Sequence, residues 1–113
     1  MSEYKRLGYW DFWNTHGTAV KTLDEKLVSP VLASLGASVG DKWRWDANYY
    51  GFTLPTGRSF FVIFDVVLQP TTVAQVEVHR MQDGTSDVIG TVFVKLPRKT
   101  WGSPRKQLRH LLS

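Results

Sequence analysis

With 113 residues and an apolar fraction of 42%, the chain can build one packed core but not two, and its five Trp, four Tyr and six Phe exclude disorder over most of its length. Cysteine is absent, so neither disulfides nor Cys-ligated zinc or iron–sulfur clusters can hold the fold. The net charge of +4 is unevenly placed: residues 1–87 carry eight Lys/Arg against ten Asp/Glu, whereas residues 88–113 carry six Lys/Arg and no acid.

A single domain over residues 1–113 is expected, with residues 1–17 as an aromatic-rich arm built around Tyr9, Trp10, Phe12 and Trp13. From Thr18 to Leu35 the apolar residues Val20, Leu23, Leu27, Val31 and Leu35 recur at three- and four-residue steps, which predicts one buried helical face. Thr22 with Glu25 fits a capping box, and Gly36 stands where a C′ glycine would end the helix. Pro30 removes a backbone donor and crowds the preceding turn, so a kink or break near Val28 is expected, with Ser29 as a cap for a second helical piece.

After Gly40 the period changes from 3.6 to 2. Trp43, Trp45, Ala47 and Tyr49 alternate with Lys42, Arg44, Asp46 and Asn48, which predicts one first strand with a ringed and a polar face; the alternative is a turn at Asp46-Ala47-Asn48 that splits it. Pro55-Thr56-Gly57 reads as a turn, and Ser59 to Leu68 is apolar on both faces, as a central strand would be. Val73 to Met81 points Ala74, Val76 and Val78 inward and Gln75, Glu77 and His79 outward. Asp83-Gly84 is a hairpin signal, and Val88 to Leu96 is the last strand, with Gly90 as a bulge or a close-packing point. Ser103-Pro104 opens a short basic helix in which Leu108, Leu111 and Leu112 share one side and Arg105, Lys106 and Arg109 the other. The fold class is therefore α+β: an N-terminal helix packed on a four-stranded antiparallel β-meander, followed by a short basic C-terminal helix.

Few catalytic constellations are present. The chain lacks the glycine-rich phosphate loops, HExxH and GxSxG, so nucleotide hydrolysis, dinucleotide binding, zinc proteolysis and α/β-hydrolase chemistry have no support. His79 with Arg80 and Glu77 could serve a metal-independent nuclease as base, anion clamp and acid, but alternation with apolar neighbours is equally what a solvated sheet face looks like. Asp65, enclosed by Phe64 and Val66, needs a cation or donors if it is buried; otherwise it marks a candidate pocket. No cofactor and no metal are expected, and enzymatic activity is the weaker expectation.

Basic and aromatic residues interleave twice. Lys42, Trp43, Arg44 and Trp45 with Tyr50 form one cluster, and Arg98, Lys99 and Trp101 with Arg105, Lys106 and Arg109 form the other. Rings that stack on bases and cations that follow phosphates are what single-stranded nucleic acid requires, although alternate Trp and Tyr on a strand equally suit a core. The leading expectation is a small non-enzymatic module that binds nucleic acid through the basic C-terminal segment, with Trp43, Trp45 and Tyr50 as candidate stacking rings. The alternatives are a protein-binding inhibitor or adaptor of phage or plasmid type that blocks a host complex through an acidic surface, and a module for anionic membrane surfaces.

The start, Met1 to Arg6, is followed by mixed aromatic and polar residues instead of an apolar run, which argues against a secretory signal. The longest apolar stretch, Phe60 to Leu68, is broken by Asp65 and falls far short of the roughly 20 residues that a bilayer span needs. An intracellular, cytoplasmic location without a transmembrane segment is expected, the interior of a host cell included.

Overall fold

The computed structural model of the chain describes residues 19–37, 42–43, 48–67 and 73–113. The expected arm of residues 1–17 lies outside them, as do Arg44 and Trp45.

The first helix, α1, runs from residue 19 to Ser34. Its stripe of Val20, Leu23, Leu27 and Val31 is buried, as the periodicity requires. Of the kink or break expected near Val28, no break occurs; the helix is irregular there but continuous. A π-helical turn over Asp24–Val28 sits directly ahead of Ser29-Pro30, with the Ser29 amide donating to the Asp24 carbonyl five residues back. This wider turn opens the backbone where the Pro30 ring would crowd an α-helical carbonyl, so the helix continues through Ser29–Ser34. Ser29 keeps α-helical dihedrals and is no N-cap. Thr22 likewise lies inside the helix, and Glu25 pairs with Lys21 (3.9 Å), so the expected capping box is corrected to an i,i+4 pair. The C-terminus is as expected: Gly36 adopts φ +84°, its amide donates to the Ala33 carbonyl and the Ala37 amide to that of Leu32, which makes a Schellman motif.

Five antiparallel strands follow in the order β1 (Lys42–Trp43), β2 (Tyr49–Thr53), β3 (Ser59–Val67), β4 (Val73–Gln82) and β5 (Thr85–Lys95). The meander is the expected one, except that its first strand divides. β1 folds back on β2 with Lys42 opposite Phe52 and Trp43 opposite Gly51, while Asp46 and Ala47 of the candidate turn lie outside the described residues. The β2–β3 turn places Gly57 at φ +89°, and the β4–β5 hairpin closes through Asp83 and Gly84, both at positive φ. Between β4 and β5 the register slips: Gly90 pairs with Val78 but Val88 pairs with His79, leaving Ile89 as the extra residue of a bulge.

The last helix, α2 (Gly102–Leu112), begins earlier than the expected Ser103 cap, with Trp101 in the N-cap position and Pro104 in the first turn, where a missing donor costs little. Both helices cover the same face of the sheet. Phe60, Val62 and Phe64 of β3, Val76 and Val78 of β4 and Val92 and Val94 of β5 bury against Leu23, Leu27, Val31, Leu108 and Leu112. Each such side chain contributes roughly 1.5 to 3 kcal/mol on burial, which fixes which face of every strand points inward. The other face carries Tyr49, Phe61, Ile63, Asp65, Gln75, Glu77, His79 and Phe93. Among the described residues, no helix is long and apolar enough to cross a membrane.

Candidate anion-binding surface

The cations of the last quarter of the chain are carried by the segment leading into α2 and by the outer side of that helix. Lys99, Lys106 and Arg109 are exposed, and Arg98 and Arg105 are half-buried. Two of them are also anchors. Arg105 donates through Nε to the Lys26 carbonyl of α1 (2.7 Å), and Arg109 through Nε to the Ser34 hydroxyl (3.2 Å). Arg98 donates to the Thr100 carbonyl, which tightens the approach to α2. None of these contacts is to an acid: among the described residues, no carboxylate lies within ion-pair distance of Arg98, Lys99, Arg105, Lys106 or Arg109. Held by neutral oxygens, the guanidinium groups keep their full positive charge beside the outward-pointing Lys106.

Two of the expected ring contacts are corrected. Trp101 is 7% exposed and belongs to the core beneath α2, while its carbonyl accepts the first helical bond from the Arg105 amide (3.0 Å). Tyr50 is fully buried between sheet and α1, packed against Phe52 and Phe64, and its hydroxyl donates to Asp24 (2.7 Å). Neither ring can stack on a base without unpacking the core. Burial and then the neighbouring Asp24 carboxylate push the Tyr50 phenol far above its ordinary range. Lys42 and Trp43 are described as the backbone of β1; Arg44 and Trp45 lie outside the described residues. Leu108 and Leu112 are core residues, so α2 has no leucine side to insert into lipid.

Asp65 is 8% exposed and accepts a hydrogen bond from Gln75, its cross-strand partner (3.3 Å), so its burial is met by donors. Glu77 and His79, two residues apart on β4, meet at 2.6 Å. Against an ionised carboxylate His79 would donate through Nε2, and among the described residues its Nδ1 is buried without a partner. The Phe61 ring lies 5.8 Å from the imidazole and helps to close over it. Arg80 points to the opposite face of the strand, so base, acid and anion clamp do not converge. Among the described residues, no group of three His, Asp or Glu could hold a metal ion.

The residues that sequence reasoning missed are Lys26 and Ser34, which supply the oxygens that hold Arg105 and Arg109. Pro30 was the available signal, since a proline four residues after Lys26 leaves that carbonyl without its α-helical donor. Comparison with protein-family models, with curated proteins and with solved structures finds no match.

Proposed function

We propose that this protein is a non-enzymatic module that binds the phosphate backbone of nucleic acid through α2 and the segment before it. The observation that carries the reading is the row of cations at residues 98–109 with no carboxylate partner among the described residues. Such a row attracts a polyanion by releasing its condensed counterions, and Arg105 and Arg109, pinned through Nε, lose little side-chain entropy on contact. With Trp101 and Tyr50 in the core, contact led by phosphates and tolerant of sequence fits better than base stacking at those rings. A cytoplasmic location belongs to this proposal.

Titration of labelled single- and double-stranded probes at rising salt tests it. Affinity is expected to fall with a log–log slope of about −0.7 to −0.9 per phosphate contact. Binding that is salt-insensitive, or absent at low salt, overturns it.

A second reading, a protein-binding inhibitor or adaptor that recognises an acidic surface, is favoured by one further observation. Val88 and Phe93, at 57% and 62% exposure, stand on the face of β5 away from the helices, and apolar anchors of this kind dominate protein interfaces. Capture of one protein from nuclease-treated lysate, lost in Phe93→Ser, would select this reading over the first.

A further inference from the structure

Arg58 precedes β3, Arg80 lies near the end of β4, and His110 sits in the last turn of α2; the fold brings these three side chains to the rim of one open cleft of about 220 Å³. Its remaining lining is Phe60, Ile89, Leu111 and Ser113. We propose that this cleft binds a small phosphomonoester, with the phosphate held by Arg58, Arg80 and His110 and the ester group seated on Phe60, Ile89 and Leu111.

The fold explains the convergence. Phe60 and Arg80 are cross-strand partners on the helix side of the sheet, so the buried Phe60 ring forms a floor beside the Arg80 stem. The cleft opens beside the last turn of α2, which contributes His110 and Leu111. The bulge at Ile89 turns an additional apolar side chain toward the same place, and Leu111 packs so closely on Gly90 that a Cβ there would meet its Cδ2 at 2.6 Å.

The rim has donors to spare. No Asp or Glu side chain lines the cleft, and among the described residues no hydrogen bond or ion pair occupies the side chains of Arg58, Arg80 or His110. Asp87 stands opposite Arg80 in the strand register without pairing to it. The last-turn carbonyl of His110 is taken up by the Ser113 amide (3.4 Å) and hydroxyl (2.8 Å), so it makes no demand on the guanidinium groups. Two guanidinium forks and the His110 ring approach from three elements, which the three terminal oxygens of a phosphomonoester can meet separately where a carboxylate has two, and its charge approaches −2 near neutral pH. The volume is below the roughly 300 to 1,000 Å³ of cofactor-sized pockets, which restricts the ester group to something close to a single ring.

This site is separate from the polyanion surface. Arg105 and Arg109, four residues apart, share the flank of α2 that faces α1, whereas His110 and Leu111 turn toward the β5 side. Calorimetric titration of the full chain with phenyl phosphate, inorganic phosphate and phenol tests the proposal. Phenyl phosphate is expected to saturate one site, inorganic phosphate to bind more weakly for want of the apolar floor, and phenol not to bind. Arg80→Ala and Arg58→Ala should each weaken phenyl phosphate about tenfold, and Arg80→Lys, which keeps charge but not the fork, several-fold. The pair Lys106→Ala and Arg109→Ala should leave it unchanged. No saturable heat with phenyl phosphate overturns the site, as does binding lost in the Lys106/Arg109 pair and retained in Arg58→Ala and Arg80→Ala.

Discussion

Arg105 Nε stands 2.7 Å from the carbonyl oxygen of Lys26, the acceptor whose α-helical donor would have been the amide that Pro30 lacks. One basic side chain therefore donates to a carbonyl that the Pro30 nitrogen cannot serve, and in doing so joins α2 to the π-helical turn of α1. The bond is charge-assisted but lies at the surface, so its net contribution belongs at the lower end of the range for such bonds.

Arg105→Ala should destabilise the fold by about 1 kcal/mol, because it removes the joint between the helices and returns the Lys26 carbonyl to water. Pro30→Ala restores an amide to that part of the helix. In the Pro30→Ala background the loss from Arg105→Ala should shrink, giving a coupling of about 0.5 to 1 kcal/mol in a double-mutant cycle read by urea unfolding. Strictly additive losses would show that the two residues do not serve the same carbonyl.

Tyr50 provides a pH signature. Its phenol is raised above its ordinary value by burial first and by Asp24 second, so the folded state keeps the proton at pH values where the unfolded chain releases it. The stabilisation is complete below the ordinary tyrosine value of about 10 and is lost progressively as pH rises above it. Absorbance titration should show Tyr50 ionising only together with alkaline unfolding, and Tyr50→Phe should flatten the alkaline limb of the stability profile. A Tyr50 that ionises reversibly in the folded protein would contradict the Asp24 contact. Tyr50→Phe should also cost about 1 to 2 kcal/mol at neutral pH, since Asp24 loses its 2.7 Å donor.

Gly90 is constrained by Leu111. A methyl group there would meet Leu111 Cδ2 at 2.6 Å and Cδ1 at 3.0 Å, so in Gly90→Ala either the Leu111 side chain or the end of α2 must shift. A loss of about 1 to 3 kcal/mol is expected, together with faster amide exchange in the last turn of the helix. Leu111→Ala should relieve the clash in the double variant, which thermal unfolding can measure.

The helix stripe and the strand alternations were legible because burial imposes periods of 3.6 and 2 on α1 and β4 directly. Pro30 misled, since the rule that a proline breaks a helix assumes an α-helical turn before it, and here that turn is π-helical. The pairing of Lys42 and Trp43 with Phe52 and Gly51 was not legible, because periodicity encodes which face a residue takes and not which strand it pairs with. At the candidate surface, the excess of cations could be counted, whereas the fate of the rings could not: Trp101 is next to charges in sequence yet packs beneath the helix they decorate. Arg58, Arg80 and His110 come from three elements, and only the β3–β4 register with the end of α2 brings them to one rim.

Comparison of salt dependence between the unsubstituted chain and the Lys106→Ala/Arg109→Ala variant tests the polyanion reading most directly. Fluorescence anisotropy with a labelled single-stranded probe should give weaker binding and a log–log slope shallower by about 1.4, that is, about 0.7 for each phosphate contact removed. An unchanged slope and affinity in that variant would contradict it.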